Sequence, residues 1–508
     1  MQIRFRVPRP PDWVWLVLLL AVIEATYVFI ISAGTWTTWS TWNANYNQLA
    51  EGFRAGHLYI PTVPPPQLLA RPNPFDWSNL NLWYLDASLY KGHYYLYWGP
   101  VPALLLLAVK VVARIQAEVG DQYVLFAFYT LFLIAGAILI ARMTARLFPE
   151  LPRATALIAT LGFAYTSPTT YMFATPGIYE AAIGAGQACL LLGLVVAFEA
   201  VWNATDAQPR IGRLLAAGCC WAAAVGCRIS AVLPAAALVA LTALFSSTVD
   251  WRRWRRLLAR AVWLGAPTAV VLMGLAIYNR LRFDSWFEIG VKYQLNTFPF
   301  VTSSKYLLLN VYSYLLRPLG LSCRFPFLSA LYDIGARGFP RGTIFPAGYS
   351  SHEPEAGLWV TSPWTWLVVV AIGFAVERAV RWRRGSAPAV GRLLADRHAR
   401  AQVWCVGSFV ALSALMPVVF LPAFCPTMRY VADFSAGFAL LSTWGAWTAL
   451  ARLPRGWPRW TGLGVVLIVA LATVAVGLLL GFQGYDEMFK NHNPALYDSL
   501  RRKLAACS

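Results

Sequence analysis

"WVWLVLLLAVIEATYVFIISA" (13–33) sets the class of this protein. A helix needs about 20 apolar residues to cross a bilayer core, and this run supplies them. It is too long for the core of a signal peptide, and no small-residue cleavage site follows it. It therefore reads as a retained helix. Glu24 sits in its middle and must be neutral or paired at that depth.

The pattern repeats along all 508 residues. Hydrophobic residues make up 58% of the chain and charged ones only 13%. Mean hydropathy is +0.53. A soluble chain of this length would need far more polar surface. Further apolar runs lie near 122–141, 154–173, 178–200, 212–228, 230–246, 260–279, 362–380, 402–424, 434–451 and 461–482. The expected fold is an all-α polytopic membrane protein of about eleven transmembrane helices, with 1–508 as a single transmembrane domain.

The net charge of +19 does not indicate nucleic acid, because the arginines lie in short loops between apolar runs. Examples are "ARMTARLFPELPR" (141–153), "DWRRWRRLLAR" (250–260) and "ARLPRGWPR" (451–459). Placing these loops inside puts the N-terminus in and the C-terminus out. Three segments then face outward: 34–121, 280–361 and a tail, 483–508. The run "VPALLLLAVKVVARI" (101–115) is short, holds Lys110 and would break the parity, so it is expected to be re-entrant or interfacial. The tail has an amphipathic pattern and is expected to form a short surface helix. The Arg- and Ala-rich composition suits a high-GC bacterium and its inner (plasma) membrane.

With this topology the unusual polar groups fall on the outer side. "WYLDASLYKGHYYLYWGP" (83–100) places seven Trp or Tyr residues around Asp86, Lys91 and His93. Glu180 lies at an outer helix end, and Arg228 lies in a tight outer turn. "NRLRFDSWFEIGVKYQL" (279–295) adds Arg282, "SSHEPEAG" (350–357) adds Glu353 and Glu355, and "CPTMRYVADF" (425–434) adds Arg429 and Asp433. Trp and Tyr favour this depth and also stack on sugars. The expectation is a cavity at the outer leaflet edge for something both polar and greasy. Plainer readings stand beside it. The tyrosines could be an interfacial belt, Arg228 a helix C-terminal cation, Glu180 a first-turn acid, and Arg429 with Asp433 a helical ion pair. A disulfide between Cys323 and Cys425 is another reading of the outer face. No metal-ligand spacing, cofactor motif or nucleic-acid motif is present.

These features resemble the bacterial integral-membrane glycosyltransferases of the GT-C superfamily, the group that includes protein mannosyltransferases and aminoarabinose transferases. The resemblance rests on a first span followed by a long outer loop. That loop opens "WNANYNQLAEGFRAGHLYI" (42–60) and continues "YKGHYYLYWGPVPALLL" (90–106). Tyr46, Leu49 and Ala50 match the second half of the family's short first-loop helix, and "GHL" (56–58) matches the turn after it. The family's acidic pair would fall at Trp42 and Asn43, which cannot take a proton. The resemblance implies transfer of a sugar from a polyprenyl-phosphate donor to a glycan, lipid or protein acceptor outside the membrane. It implies a carboxylate base, for which Asp86 stands first, Asp76 second and Glu51 third. It implies cations for the leaving phosphate: Arg228, Arg282, Arg429 and, more weakly, Lys91. Tyr94, Tyr95, Trp98, His93 and Glu180 would line the groove. No cofactor or metal is expected. A transporter or flippase of lipid-linked sugar, or a non-catalytic assembly partner with this fold, are the rival readings.

Overall fold

The structure is a computed structural model that describes residues 12–39, 43–204, 211–246, 254–296, 301–332, 338–350, 353–383, 395–485 and 487–504. Among these residues the protein is helical, with strands confined to small hairpins. One pairs Ser88–Tyr90 with His93–Tyr95, and another pairs Gly320–Leu321 with Leu328–Ser329. Seven helices among the described residues are long and apolar enough to cross a membrane. They include Asp121–Leu147, Ile178–Trp202, Trp254–Phe283 and Trp457–Gln483. Their outward faces are bare of polar cover: Val262, Val270 and Met273 on one, and Val465, Ile468 and Leu471 on another, are exposed. Apolar faces this large belong in lipid, so the chain is a polytopic helical membrane protein.

The helices follow most of the apolar runs, with informative departures. The run 154–173 is not one helix. It divides into Ala154–Ala164 and Thr169–Phe173, because Pro168 has no N–H for the ladder and its ring opposes a continuing helix. The run 402–424 ends as a helix at Leu415, two residues before Pro417, and then tightens into a short turn. The run 434–451 starts earlier, at Met428, which draws Arg429 and Asp433 into the helix Met428–Arg452. The segment 101–115 forms the helix Val101–Ala113, ended by Arg114 in the left-handed region (φ 53°). The tail holds two short helices, Met488–His492 and Pro494–Lys503, anchored where Asn493 Nδ2 donates to the Ala33 carbonyl at 2.9 Å.

The core is stitched by indoles. Trp221, Trp364, Trp404 and Trp447 are fully buried, and each finds an acceptor on a neighbouring helix. Trp221 donates to the Leu190 carbonyl (3.3 Å), Trp364 to the Ala439 carbonyl (3.2 Å), Trp404 to Thr242 Oγ1 (3.0 Å) and Trp447 to Thr144 Oγ1 (2.9 Å). An N–H left without a partner in an apolar interior costs about 1–3 kcal/mol, so these pairings fix which helix faces meet. Glu24 is partnered in the same way, accepting from Thr130 Oγ1 at 3.1 Å.

The disulfide between Cys323 and Cys425 is not made. Cys323 is disulfide-bonded, but Cys425 is a buried thiol donating to the Pro426 carbonyl at 3.5 Å. Cys425 sits in the packed junction just before the helix Met428–Arg452 rather than on an open face.

Candidate active site

The hairpin inside 83–100 carries Asp86 to its place. Lys91 and Gly92 both take positive φ (46° and 78°), the conformation that matches a two-residue turn to strand twist. Register then pairs Ser88 with Tyr95 and Tyr90 with His93. Asp86 precedes the hairpin with φ 66°, a region that aspartate tolerates better than most side chains. Its N–H donates to the Leu295 carbonyl at 3.0 Å, and the Leu295 N–H returns a bond to Ala87 at 2.8 Å. Ser88 Oγ donates to the Gly290 carbonyl at 2.9 Å. Gly290 has φ 107°, and a β-carbon there would lie 2.7 Å from Ser88 Oγ. Only glycine allows this close seam between segments two hundred residues apart.

The seam sets Gln294 beside Asp86. Asp86 Oδ1 accepts from Gln294 Nε2 at 3.0 Å and from the Tyr179 hydroxyl at 2.9 Å. Burial pushes the Asp86 carboxyl above its ordinary pKa, opposed by the Tyr179 bond, the Arg429 charge and the Gln294 bond. Tyr179 is the second residue of the helix Ile178–Trp202.

Tyr179 and Gln294 are also wall residues of a cavity of about 410 Å³. Tyr97, Trp98, Leu275, Tyr278, Phe420 and Tyr430 make much of the remaining wall, and two guanidiniums enter it, those of Arg228 and Arg282. Arg228 stands in extended backbone between the helix Ile211–Cys227 and the turn Ile229–Ala231. Its Nη2 lies 2.8 Å from Asp433 Oδ2, and its guanidinium lies 5.2 Å from the Phe420 ring centre. Arg282 is in the last turn of the helix Trp254–Phe283, where a cation is favoured. It donates to the Leu96 carbonyl (2.6 Å) and Asn279 Oδ1 (2.9 Å) and stacks 3.7 Å from the Tyr278 ring centre.

Among the residues that line this cavity, the buried donors without a protein partner include Nε of Arg228, Nε of Arg282, Ser230 Oγ and Trp98 Nε1. The contrast with the four paired core tryptophans is direct. Buried donors are normally satisfied, so a wall with unmet N–H and O–H groups is suited to a ligand rich in acceptors.

Behind the wall, Arg429 lies over the Tyr179 ring at 3.8 Å, pairs with Glu353 and faces Glu180 Oε1 at 4.0 Å. Burial raises the Glu353 carboxyl while Arg429 pulls it down. Asp433 pairs with Arg228 rather than with Arg429 one turn before it.

Of the residues expected from sequence, Asp86, Arg228, Arg282, Arg429, Trp98 and Glu180 come together here. The others have different surroundings. Asp76 is exposed and caps the turn Trp77–Leu82, accepting from Ser78 N (2.9 Å) and Oγ (2.7 Å), which holds its carboxyl low. Glu51 pairs with buried Lys110 at 2.7 Å. Lys91 pairs with Asp284 at 2.6 Å on the surface, and the Tyr90 hydroxyl joins them at 3.0 Å. His93 stacks on Tyr59 (4.1 Å), Tyr95 packs on Phe283 (5.2 Å) and Tyr94 packs on Tyr84 (5.5 Å). None of these six lines the cavity. Within 83–100 only Tyr97 and Trp98, with Gly99 and Pro100 after them, reach the cavity wall.

Tyr179, Gln294 and Tyr278 were not among the expected site residues. Tyr179 adjoins Glu180, and the other two lie in or next to a quoted segment, but nothing in one sequence pairs them with Asp86. Asp121 is a further buried acid that sequence reasoning passed over. Its carboxylate accepts the N–H groups of Asn45 (3.0 Å) and Tyr46 (3.1 Å), closing the start of the helix Asn45–Arg54. The position of Trp42 lies outside the described residues. Asn43 is described, and its N-terminal-helix neighbourhood is served by Asp121. Among the described residues, no group of three or more His, Cys, Asp or Glu side chains is arranged to hold a metal.

No family model and no curated protein matches the chain. Among solved structures, it is similar to the apo oligosaccharyltransferase of Archaeoglobus fulgidus (TM-score 0.47, 14% identity, 93% of this chain covered). The chain spans 56% of the length of that protein. It is also similar to ArnT from Cupriavidus metallidurans bound to undecaprenyl phosphate (TM-score 0.42, 15% identity, 97% of this chain and 77% of that one).

Proposed function

We propose that this protein is a membrane glycosyltransferase of the GT-C type, moving a sugar from a polyprenyl-phosphate donor to an acceptor hydroxyl on the extracytoplasmic side. The observation that carries the reading is the cavity itself. Two guanidiniums, those of Arg228 and Arg282, and two neutral donor side chains, Ser230 and Trp98, belong to the lining of an otherwise aromatic and apolar chamber. A phosphate ester on a long hydrocarbon offers acceptor-only oxygens to the first and apolar surface to the second.

In this reading Arg228 and Arg282 receive the leaving phosphate, and preorganised donors of this kind stabilise the charge that develops on it. Asp86 is the base for the acceptor proton, in place of the acidic pair absent at Trp42 and Asn43. Arg429 serves Asp86 and Tyr179 rather than the phosphate, since Glu353 and Glu180 already face it. The N-terminus lies inside and the C-terminus outside, as the arginine pattern requires.

The test uses the full chain purified into lipid nanodiscs, a panel of polyprenyl-phosphate pentoses and hexoses, and octyl glycoside acceptors. Transfer is expected with at least one donor, reduced about 10²- to 10⁴-fold in Asp86→Asn and unchanged in Asp76→Asn. Absence of transfer or donor breakdown, with lipid-linked sugar instead moving between leaflets, would establish the flippase reading.

A further inference from the structure

We infer that Tyr179 is the group that receives the acceptor's proton, relaying it to Asp86, which does not itself meet the substrate; this rests on the transferase reading above. The argument begins with position. Asp86 is half-buried and is not among the residues of the cavity wall, whereas both of its side-chain hydrogen-bond donors, Tyr179 and Gln294, are wall residues. An acceptor hydroxyl in the cavity meets the phenol before the carboxylate.

The geometry around the phenol fits a relay. Its hydroxyl already donates to Asp86 Oδ1 at 2.9 Å, so its proton has a defined destination. Donating there leaves the phenol oxygen two lone pairs; Gln294 Nε2 donates to one, and the other is the one an acceptor O–H would meet. Gln294 Nε2 lies 3.3 Å from the same phenol oxygen and 3.0 Å from Asp86 Oδ1, bracing both ends of the transfer. The Arg429 guanidinium over the ring places positive charge beside the site where negative charge passes during transfer. Trp98 meets the ring edge-on, 4.8 Å between centres, and limits its rotation.

The step balances as follows. The acceptor O–H gives its proton to the Tyr179 oxygen while Tyr179 gives its own to Asp86 Oδ1. The acceptor oxygen forms a bond to the anomeric carbon of the polyprenyl-phosphate sugar. The bond from that carbon to the phosphate oxygen breaks, and its electron pair leaves with the phosphate. Asp86 ends protonated, Tyr179 ends neutral, and the carboxylate is restored when the proton reaches solvent.

The experiment compares wild type, Tyr179→Phe and a protein with 2,3-difluorotyrosine at 179, all full-length in nanodiscs, with the donor and acceptor panel above. Tyr179→Phe should lose about 10²-fold in kcat, while stabilisation by added polyprenyl phosphate stays at the wild-type value. The wild-type rate should bow against the mole fraction of D2O, as two protons in flight require. The difluorinated phenol, more acidic at unchanged shape, should bring the alkaline limb of the pH–rate profile to lower pH. Should the Phe variant fail to fold, the difluorotyrosine protein decides. A Tyr179→Phe rate within about fivefold of wild type, a straight D2O plot, or a superimposable difluorotyrosine profile overturns the relay and leaves the transferase reading standing. A wild-type protein inert toward every donor removes both.

Discussion

Arg429 stands with its guanidinium 3.8 Å from the centre of the Tyr179 ring. The contact joins two distant loops. On one side Arg429 pairs with Glu353, and on the other Tyr179 bonds Asp86. The carboxylate proposed as base is therefore held from both long loops at once, through two helix N-termini, those of Ile178–Trp202 and Met428–Arg452.

The raised Asp86 carboxyl has a pH consequence. A base must be ionised, so the acid limb of kcat/KM should lie above the ordinary aspartate value of about 3.9. For stability the sign is opposite. A folded pKa above the unfolded one contributes stability that is present at low pH and lost as pH rises through the folded value. Wild type should therefore lose unfolding temperature relative to Asp86→Asn as pH is raised from about 4 to neutrality. A constant difference between the two proteins would count against this environment for Asp86.

Arg282→Lys keeps a charge but loses the fork that reaches Leu96 and Asn279 and the stack on Tyr278. Arginine and lysine are not equivalent at such a site. Donor KM should rise about tenfold, or about 1.4 kcal/mol, with the melting temperature little changed. Titration of donor against rate measures it.

Gly99→Ala tests how the cavity wall is built. A β-carbon there collides with the Gly226 carbonyl oxygen and comes 2.7 Å from the Cys227 carbonyl carbon. Both are backbone, so they cannot swing aside. The variant should lose about 1–3 kcal/mol of stability and weaken stabilisation by polyprenyl phosphate, both readable by thermal unfolding.

Glu51→Gln separates a structural acid from a catalytic one. Lys110 is buried, with Glu51 at 2.7 Å and Asn47 Oδ1 at 2.5 Å. Breaking a fully buried pair costs about 3–5 kcal/mol. Glu51 is one-third exposed, so roughly 2 kcal/mol is expected. The double variant Glu51→Gln with Lys110→Met should recover much of this loss. Per folded molecule, transfer should be unchanged in both, as an activity assay normalised to folded protein would read.

Sequence by itself determined the class and the inventory. Apolar runs as long as a bilayer is thick can only be membrane helices, because length and the lack of water fix how their backbones bond. It also marked Asp86, Arg228, Arg282 and Arg429 as the charges that an apolar chain does not carry without a reason. Tertiary structure alone decided which of them share a space. Asp86 meets Gln294 only because Gly290 admits the Ser88 strand, and Asp433 takes Arg228 rather than Arg429, four residues away on its own helix, because Arg429 is drawn to Glu353 and Glu180. Lys91 and Asp76 sit in the same loop as Asp86, yet their side chains turn to other partners. Periodicity reports which face of a segment is buried, but a contact across two hundred residues depends on how those faces dock, and one sequence contains no signal of that pairing.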